Sequence, residues 1–336
     1  MKKMSNPAFA AVTIVVTVAL IALTFTIQND YFFSAGYRVL MFIILATAWN
    51  ILGGYTGYVN FGIAGFFAIG AYSTVVCYKL GAPILVSVAV ATLAAGIAGY
   101  ALGYLTMRLR GVFFSIATLA LAVMLFTFVV NWEYVGGARG TYVIQPRDIP
   151  FGLPRYIHWL YALTAILAAL SIIVARVIER SNVGRGLAAI RDDELAAECS
   201  GVPTLKLKLL STAASGALMG TAGSTFPYFV SYVEPSSVFD LALAVNSIAM
   251  PVIGGMTTWL GPLIGAVLLA TMQQVVQVTV SSAWGLLFTG LLLVVFVTLA
   301  PNGIMGWVPS IRQAASGWVR RARNSIMTLV LRARDR

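Results

Sequence analysis

Charge is scarce in this chain. Asp, Glu, Lys and Arg make up 10% of its 336 residues, and 11 of those are acidic. There is one histidine, His158, which excludes a histidine-based metal site and is expected at the membrane interface rather than in catalysis. The two cysteines, Cys77 and Cys199, fall in different predicted environments and make no disulfide framework. No G-x-x-x-x-G-K-S/T run is present, so the chain does not hydrolyse ATP through such a phosphate loop. H-E-x-x-H is missing as well. No catalytic residue, metal or bound cofactor is therefore assigned, and the chain is read as something other than an enzyme.

Apolar sequence takes the place of charge. Hydrophobic residues make up 60% of the chain, in many runs near 20 residues long. Such runs match the length a helix needs to cross a bilayer. They are continuous rather than alternating, which disfavours a β-barrel. The 31 glycines suit closely approaching helices in lipid. The fold class is all-α, a polytopic transmembrane helical bundle. The formal net charge of +11 is read as loop positioning at a membrane rather than nucleic-acid binding. The apolar stretch 8–27 exceeds the usual signal-peptide core and is taken as a first span.

Ten spans are predicted, over 8–27, 38–54, 59–78, 83–105, 111–131, 158–178, 206–230, 238–255, 258–279 and 284–300; eight also satisfies the parity. With the N-terminus inside, 17 basic residues fall on the cytoplasmic side and 5 outside, whereas the acidic residues divide 6 to 5. That asymmetry puts both termini inside. Residues 1–309 form one transmembrane domain, with an outer loop at 132–157 and a cytoplasmic loop at 179–205. Residues 310–336 read as a basic amphipathic tail on anionic lipid. No ionisable residue sits mid-span in this map. A charge there is disfavoured by about 2.5–3.5 kcal/mol and persists mainly for function. Its absence argues against a proton-coupled carrier, and less against a sodium-coupled one.

Four features stand out. Small residues recur at helical spacing at Gly99 and Gly103, Gly216 and Gly220, and Gly261 and Gly265, which predicts helix packing. Gln273, Gln274 and Gln277 predict hydrogen bonds between helices. In "GYTGYVNFGIAGFFAIGAY" (54–72), Gly57, Asn60, Gly62 and Gly65 fit either packing or the lining of a polar path. The densest charge lies in "GRGLAAIRDDELAAECSGVP" (184–203), which holds four of the 11 acidic residues. Ser181 or Asn182 is expected to cap a helix there, and Gly201 with Pro203 to stop one. Residues 185–190 and 194–199 each read as a short helix, and whether they form one bent helix or two stays open. A short charged element between two greasy spans is made for docking.

"AAIRDDELAAECSGV" resembles the cytoplasmic loop of ABC-importer permeases, and more closely that of the branched-chain amino-acid permease family, its LivM-like half. Gly184, Arg185, Ala189, Ile190, Arg191, Asp192, Glu194, Ala196, Ala197, Glu198 and Gly201 fit the latter pattern. Against the general pattern, Glu194 stands one place early and Leu195 takes its slot. "GYTGYVNFGIAGFFAIGAY" and "SIAMPVIGGMTTWLGPLIGAVLL" (247–269) resemble the family's early and late Gly-rich segments, with Pro251 and Thr257 as departures. The resemblance implies a permease subunit in the bacterial inner membrane, moving branched-chain amino acids, or urea, amides or aromatic acids, by alternating access. It implies a second, LivH-like permease, two ATPase subunits that use ATP and Mg, and a periplasmic solute-binding protein as partners. Gly184, Arg185, Arg191, Asp192, Glu194, Ala196, Ala197, Glu198 and Gly201 are then the ATPase-coupling residues. The competing readings are an ion-coupled carrier or channel working without ATPases, and a membrane scaffold.

Overall fold

The computed structural model describes residues 6–106, 111–145, 155–279 and separate positions between 287 and 306. Helices dominate: α1 (Asn6–Thr26), α2 (Asp30–Thr56), α3 (Ile63–Lys79), α4 (Ile84–Thr106), α5 (Val112–Val130), α6 (Tyr156–Arg180), α7 (Asn182–Asp192), α8 (Glu194–Cys199), α9 (Thr204–Val230), α10 (Pro235–Val238), α11 (Leu241–Gly254) and α12 (Leu260–Thr279). Two short strands, β1 (Thr141–Tyr142) and β2 (Tyr232–Val233), pair antiparallel with Thr141 opposite Val233.

Among the described residues, six segments are long and apolar enough to cross a bilayer: α1, α2, α4, α5, α6 and the α10–α11 stretch. Helices α3 and α12 are shorter apolar helices. Helix α9 has the length, 27 residues, but a different composition. It carries Ser211, Thr212, Ser215, Thr221, Ser224 and Thr225, all buried. Most of these hydroxyls bond back to carbonyls of their own helix, as Ser211 does to Lys208 O at 2.8 Å and Ser224 to Thr221 O at 2.7 Å. Ser215 instead reaches α2, donating to Ala48 O at 2.7 Å. The predicted span 284–300 falls largely outside the described residues, and the tail 310–336 falls there entirely.

Burial separates centre from rim. In α2, 89% of the apolar window is buried, against 11% in α1 and 22% in α5. Helix α9 lies beside α2, α3 and α4. Its contact with α4 runs over the small residues flagged in the sequence. A Cβ on Gly99 would stand 2.6 Å from Thr212 O, and one on Gly216 would stand 2.8 Å from Ala95 O. Both helices need glycine for backbones to approach this closely. The rim helices α1 and α5 present apolar faces, with Val15, Val18, Phe113, Val123 and Met124 exposed as lipid-facing side chains would be.

The connections gather at two ends. At one, Arg155 pairs with Asp30, Lys79 donates to Tyr134 O, and Ile144 N donates to the Tyr78 hydroxyl at 3.2 Å. The β1–β2 ribbon belongs to this end. At the other, Ser115 donates to Val59 O at 2.8 Å and Trp259 N to Glu179 Oε2 at 2.7 Å. Phe9, near the start of α1, packs edge-on against Trp259 with centroids 4.6 Å apart. A Cβ on Gly303 would lie 2.6 Å from Gly255 N, so position 303 returns to that same end. Pro251 does not break α11, which runs on to Gly254; the chain turns only at Gly255, where φ is +115°. Proline inside such a helix is tolerated when neighbours re-satisfy the freed backbone.

Candidate functional site

The charged stretch forms two helices. Ser181 caps α7, its hydroxyl accepting from Gly184 N at 3.3 Å. The chain then breaks at Asp193, whose backbone is extended at φ −160° and ψ 113°. The Asp193 carboxylate caps α8 by accepting from Ala196 N at 3.0 Å. Aspartate suits that place twice, since its oxygen satisfies a free amide and its charge meets the positive helix end. Helix α8 stops at Cys199, and Gly201 takes a positive φ of +82° before Pro203 and α9. A single helix carrying Arg191 beside Glu194 is thereby ruled out.

Helix α7 leans on α6 and α2. Gly184 is buried where a side chain would strike the Ile178 and Glu179 carbonyls. Leu187 and Ile190 enter a small apolar core with Ile51, Leu52, Tyr55, Ala175 and Leu209. Arg191 donates to Gly54 O at 3.2 Å and lies 3.5 Å from Asp192. Its side chain packs on Gly57, which ends α2 in the left-handed conformation at φ +78°. The two residue groups singled out in the sequence thus meet at Arg191 and Gly57.

Helix α8 leans on α9. Glu194 and Glu198 are one turn apart, as are Thr204 and Lys208. The two pairs face each other antiparallel. Glu198 Oε1 accepts from the Thr204 hydroxyl at 2.8 Å, and Glu194 accepts from the Lys208 ammonium. Tyr58, from the α2–α3 connection, completes the group. Its hydroxyl donates to Glu194 and accepts from Lys208 Nζ at 2.9 Å. The Tyr58 ring stands edge-on to Phe114 of α5 at 5.2 Å. Side-chain exposure is 3% for Lys208 and 16% for Glu194, so this is an interior ion pair.

What remains outside is a mixed face. Arg185, Asp192, Asp193, Leu195, Ala196 and Glu198 are exposed, and Ala197 is buried. Leu195, 60% exposed, is a large apolar side chain at the centre of that charged rim. Of the coupling candidates, Arg185, Asp192, Ala196, Glu198 and Gly201 lie on the surface, while Gly184, Glu194 and Ala197 face inward. Lys208 and Tyr58 escaped the sequence reading. Lys208 looked like one more basic residue at a span end. Nothing local in the sequence pairs it with Glu194.

The remaining candidates stand at turns and helix contacts. Asn60 Oδ1 accepts from Gly62 N at 2.7 Å, and Asn60 O accepts from the Trp49 indole at 2.9 Å. A Cβ on Gly62 would stand 2.8 Å from Thr118 O, and one on Gly65 would stand 3.2 Å from Leu125, so both mark the approach of α3 to α5. Gln273 donates to Asn246 at 3.0 Å, linking α12 to α11 as its composition predicted. No group of three or more His, Cys, Asp or Glu residues able to hold a metal occurs among the described residues.

Comparison with known proteins decides the family. Residues 31–297 match the family described as branched-chain amino acid transport system / permease component. The chain belongs to that family. It is 28% identical over 292 residues to the high-affinity branched-chain amino acid transport system permease protein LivM of Escherichia coli (strain K12), covering 79% of this chain and 68% of that one. The LivM protein of Salmonella typhimurium matches to the same extent. A probable branched-chain amino acid transport permease protein LivH of Methanocaldococcus jannaschii is 25% identical over 203 residues, covering 57% of this chain and 63% of that one. Among solved structures, an inward-facing conformation of a putative metal-chelate type ABC transporter aligns with a TM-score of 0.49 and 17% identity, over 88% of this chain and 100% of that chain. This family member is a multi-pass membrane protein, and the site to explain in it is the α7–α8 element.

Proposed function

We propose that this chain is the membrane-spanning permease subunit of an ABC importer in the bacterial inner membrane, moving branched-chain amino acids by alternating access. The observation that carries the reading is the α7–α8 element. It is a short charged projection held between two long helices, with an apolar residue, Leu195, in a polar rim. That is the anatomy of a small docking surface, an apolar anchor with charges around it. Arg185, Asp192, Ala196, Glu198 and Gly201 meet an ATPase subunit, while Gly184, Arg191, Glu194 and Ala197 hold the element to the bundle. Two such subunits handle ATP and Mg in this reading. Likeness to proteins named LivM and LivH supports a second permease of similar fold as partner. A periplasmic solute-binding protein delivers the solute.

Gathering α7–α8, the start of α1 and position 303 at one end supports an even number of spans, and the excess of basic residues on that side supports a cytoplasmic orientation for it. Gly57, Asn60, Gly62 and Gly65 let α3 shift against α5 at the mouth of the path. The deciding experiment reconstitutes the chain in proteoliposomes with candidate ATPases, second permease and binding protein from the same organism. Uptake of radiolabelled leucine, isoleucine or valine is expected only with ATP on the ATPase side, and Leu195→Arg should abolish ATPase assembly. Equal uptake without the ATPases would overturn the reading in favour of an ion-coupled carrier.

A further inference from the structure

The break at Asp193 divides the element into two levers with different attachments. Helix α7 continues from α6, separated only by Ser181, and its buried residues rest on α6 and α2. Helix α8 is pinned to α9 by two rungs, Glu198 to Thr204 and Glu194 to Lys208. We infer that the interior Glu194–Lys208–Tyr58 group is the gear by which motion of α8 is delivered to α9 and to the α2–α3 connection, with Lys208 and Tyr58 as positioning residues for transport. The inference rests on the permease reading above.

Three observations converge on it. The first is burial. An ion pair withdrawn from water gives little net stability over apolar replacements of the same volume, because desolvation offsets the attraction. The best-attested use of such a pair is to fix one arrangement among several. Here the fixed arrangement joins α8, α9 and the α2–α3 connection at one point. The second is selectivity along α9. Lys206, two residues earlier, is exposed, whereas Lys208 shares the buried face with Thr204 and Thr212, each four residues away. Only the lysine on the inner face is partnered with α8. The third is what α9 touches next. Ser215 bonds α2, Gly216 abuts α4, and a side chain on Gly223 would collide with the Phe67 carbonyl of α3. Displacement of α9 is therefore passed to three helices at van der Waals contact, since packed interiors transmit strain rather than absorb it.

Tyr58 gives the gear a second output. Its hydroxyl accepts from Lys208 and donates to Glu194, and the Lys208 ammonium lies 4.7 Å from its ring centroid. The ring stands edge-on to Phe114, so α5 touches the same group through Tyr58.

The test uses the full complex in proteoliposomes and reads solute moved per ATP hydrolysed, a ratio independent of how much protein inserts. Lys208→Met should lower that ratio tenfold or more while ATP hydrolysis continues. Tyr58→Phe, which keeps the ring and loses the hydroxyl, should lower it severalfold. Lys206→Met is the control and should leave it unchanged. The exchange Glu194→Lys with Lys208→Glu should restore part of the loss. Where Lys208→Met does not reach the membrane, Glu194→Gln with Lys208→Met leaves no lone interior charge and should show the same low ratio. A wild-type ratio in whichever of the two inserts overturns the gear. A wild-type complex without ATP-driven uptake would instead overturn the permease reading itself.

Discussion

Two residues at the cytoplasm-facing end of the bundle, by the sidedness proposed here, carry unusual constraints. Gly57 stands at φ +78° with a hypothetical Cβ 3.1 Å from the Arg191 side chain. An L-residue in that conformation costs about 1–2 kcal/mol, with asparagine among the better tolerated. Gly57→Val should lower the melting temperature of the purified protein in detergent most, Gly57→Ala less, and Gly57→Asn least. An unchanged melting temperature for the valine variant would show that the turn is not constrained. Glu194 teaches a different lesson. Its place in a charged motif was visible in the sequence, but its direction was not. Its partners lie 14 and 136 residues away, and a six-residue helix has too few positions for a periodicity to tell its inner face from its outer one.

At the scale of elements, the capping at Asp193 separates α7 from α8. Losing an aspartate cap costs a helix about 0.5–2 kcal/mol. In a helix this short the loss should appear as local opening before global unfolding. Asp193→Ala should speed amide hydrogen exchange in 194–199 by about fivefold, corresponding to about 1 kcal/mol. Exchange in 184–190 should stay unchanged. Faster exchange across both helices would mean that they behave as one element. Most long elements could be read in advance, because an apolar run of span length leaves few alternatives in lipid. The α2 start was misplaced: the helix begins at Asp30, capped by Asn29, eight residues before the expected 38. Its first two turns hold polar and aromatic residues, which hydropathy alone assigns to a loop.

At the scale of the whole molecule, sidedness can be read from the native cysteines. Cys199 is exposed on α8, and Cys77 is buried in α3. A membrane-impermeant maleimide should label Cys199 in inverted vesicles and not in right-side-out ones. Cys77 should react only after denaturation. Labelling of Cys199 from the outside would reverse the orientation drawn from the basic residues. The charge count predicts that orientation from where basic residues fall between spans, and the structure adds that loops predicted on the same side touch one another. Which helices are central was legible only as a weak contrast in hydropathy, since the packing partners of each helix lie far away in the chain. The buried α2 is the less apolar of the two and the exposed α1 the more apolar, as expected where one faces protein and the other lipid.

Helix α9 has a consequence for how the protein is made. Its serines, threonines and glycines suit protein neighbours, and its hydropathy falls below that of the helices around it. A translocating ribosome delivers α4 well before α9, and lipid alone offers such a helix little reason to stay. Its partition into the bilayer therefore depends on the earlier helices already standing there as a template. Insertion of α9 is then an act of docking onto the first third of the chain, and lesions on the small-residue face of α4 should act as insertion defects of a segment about a hundred residues downstream.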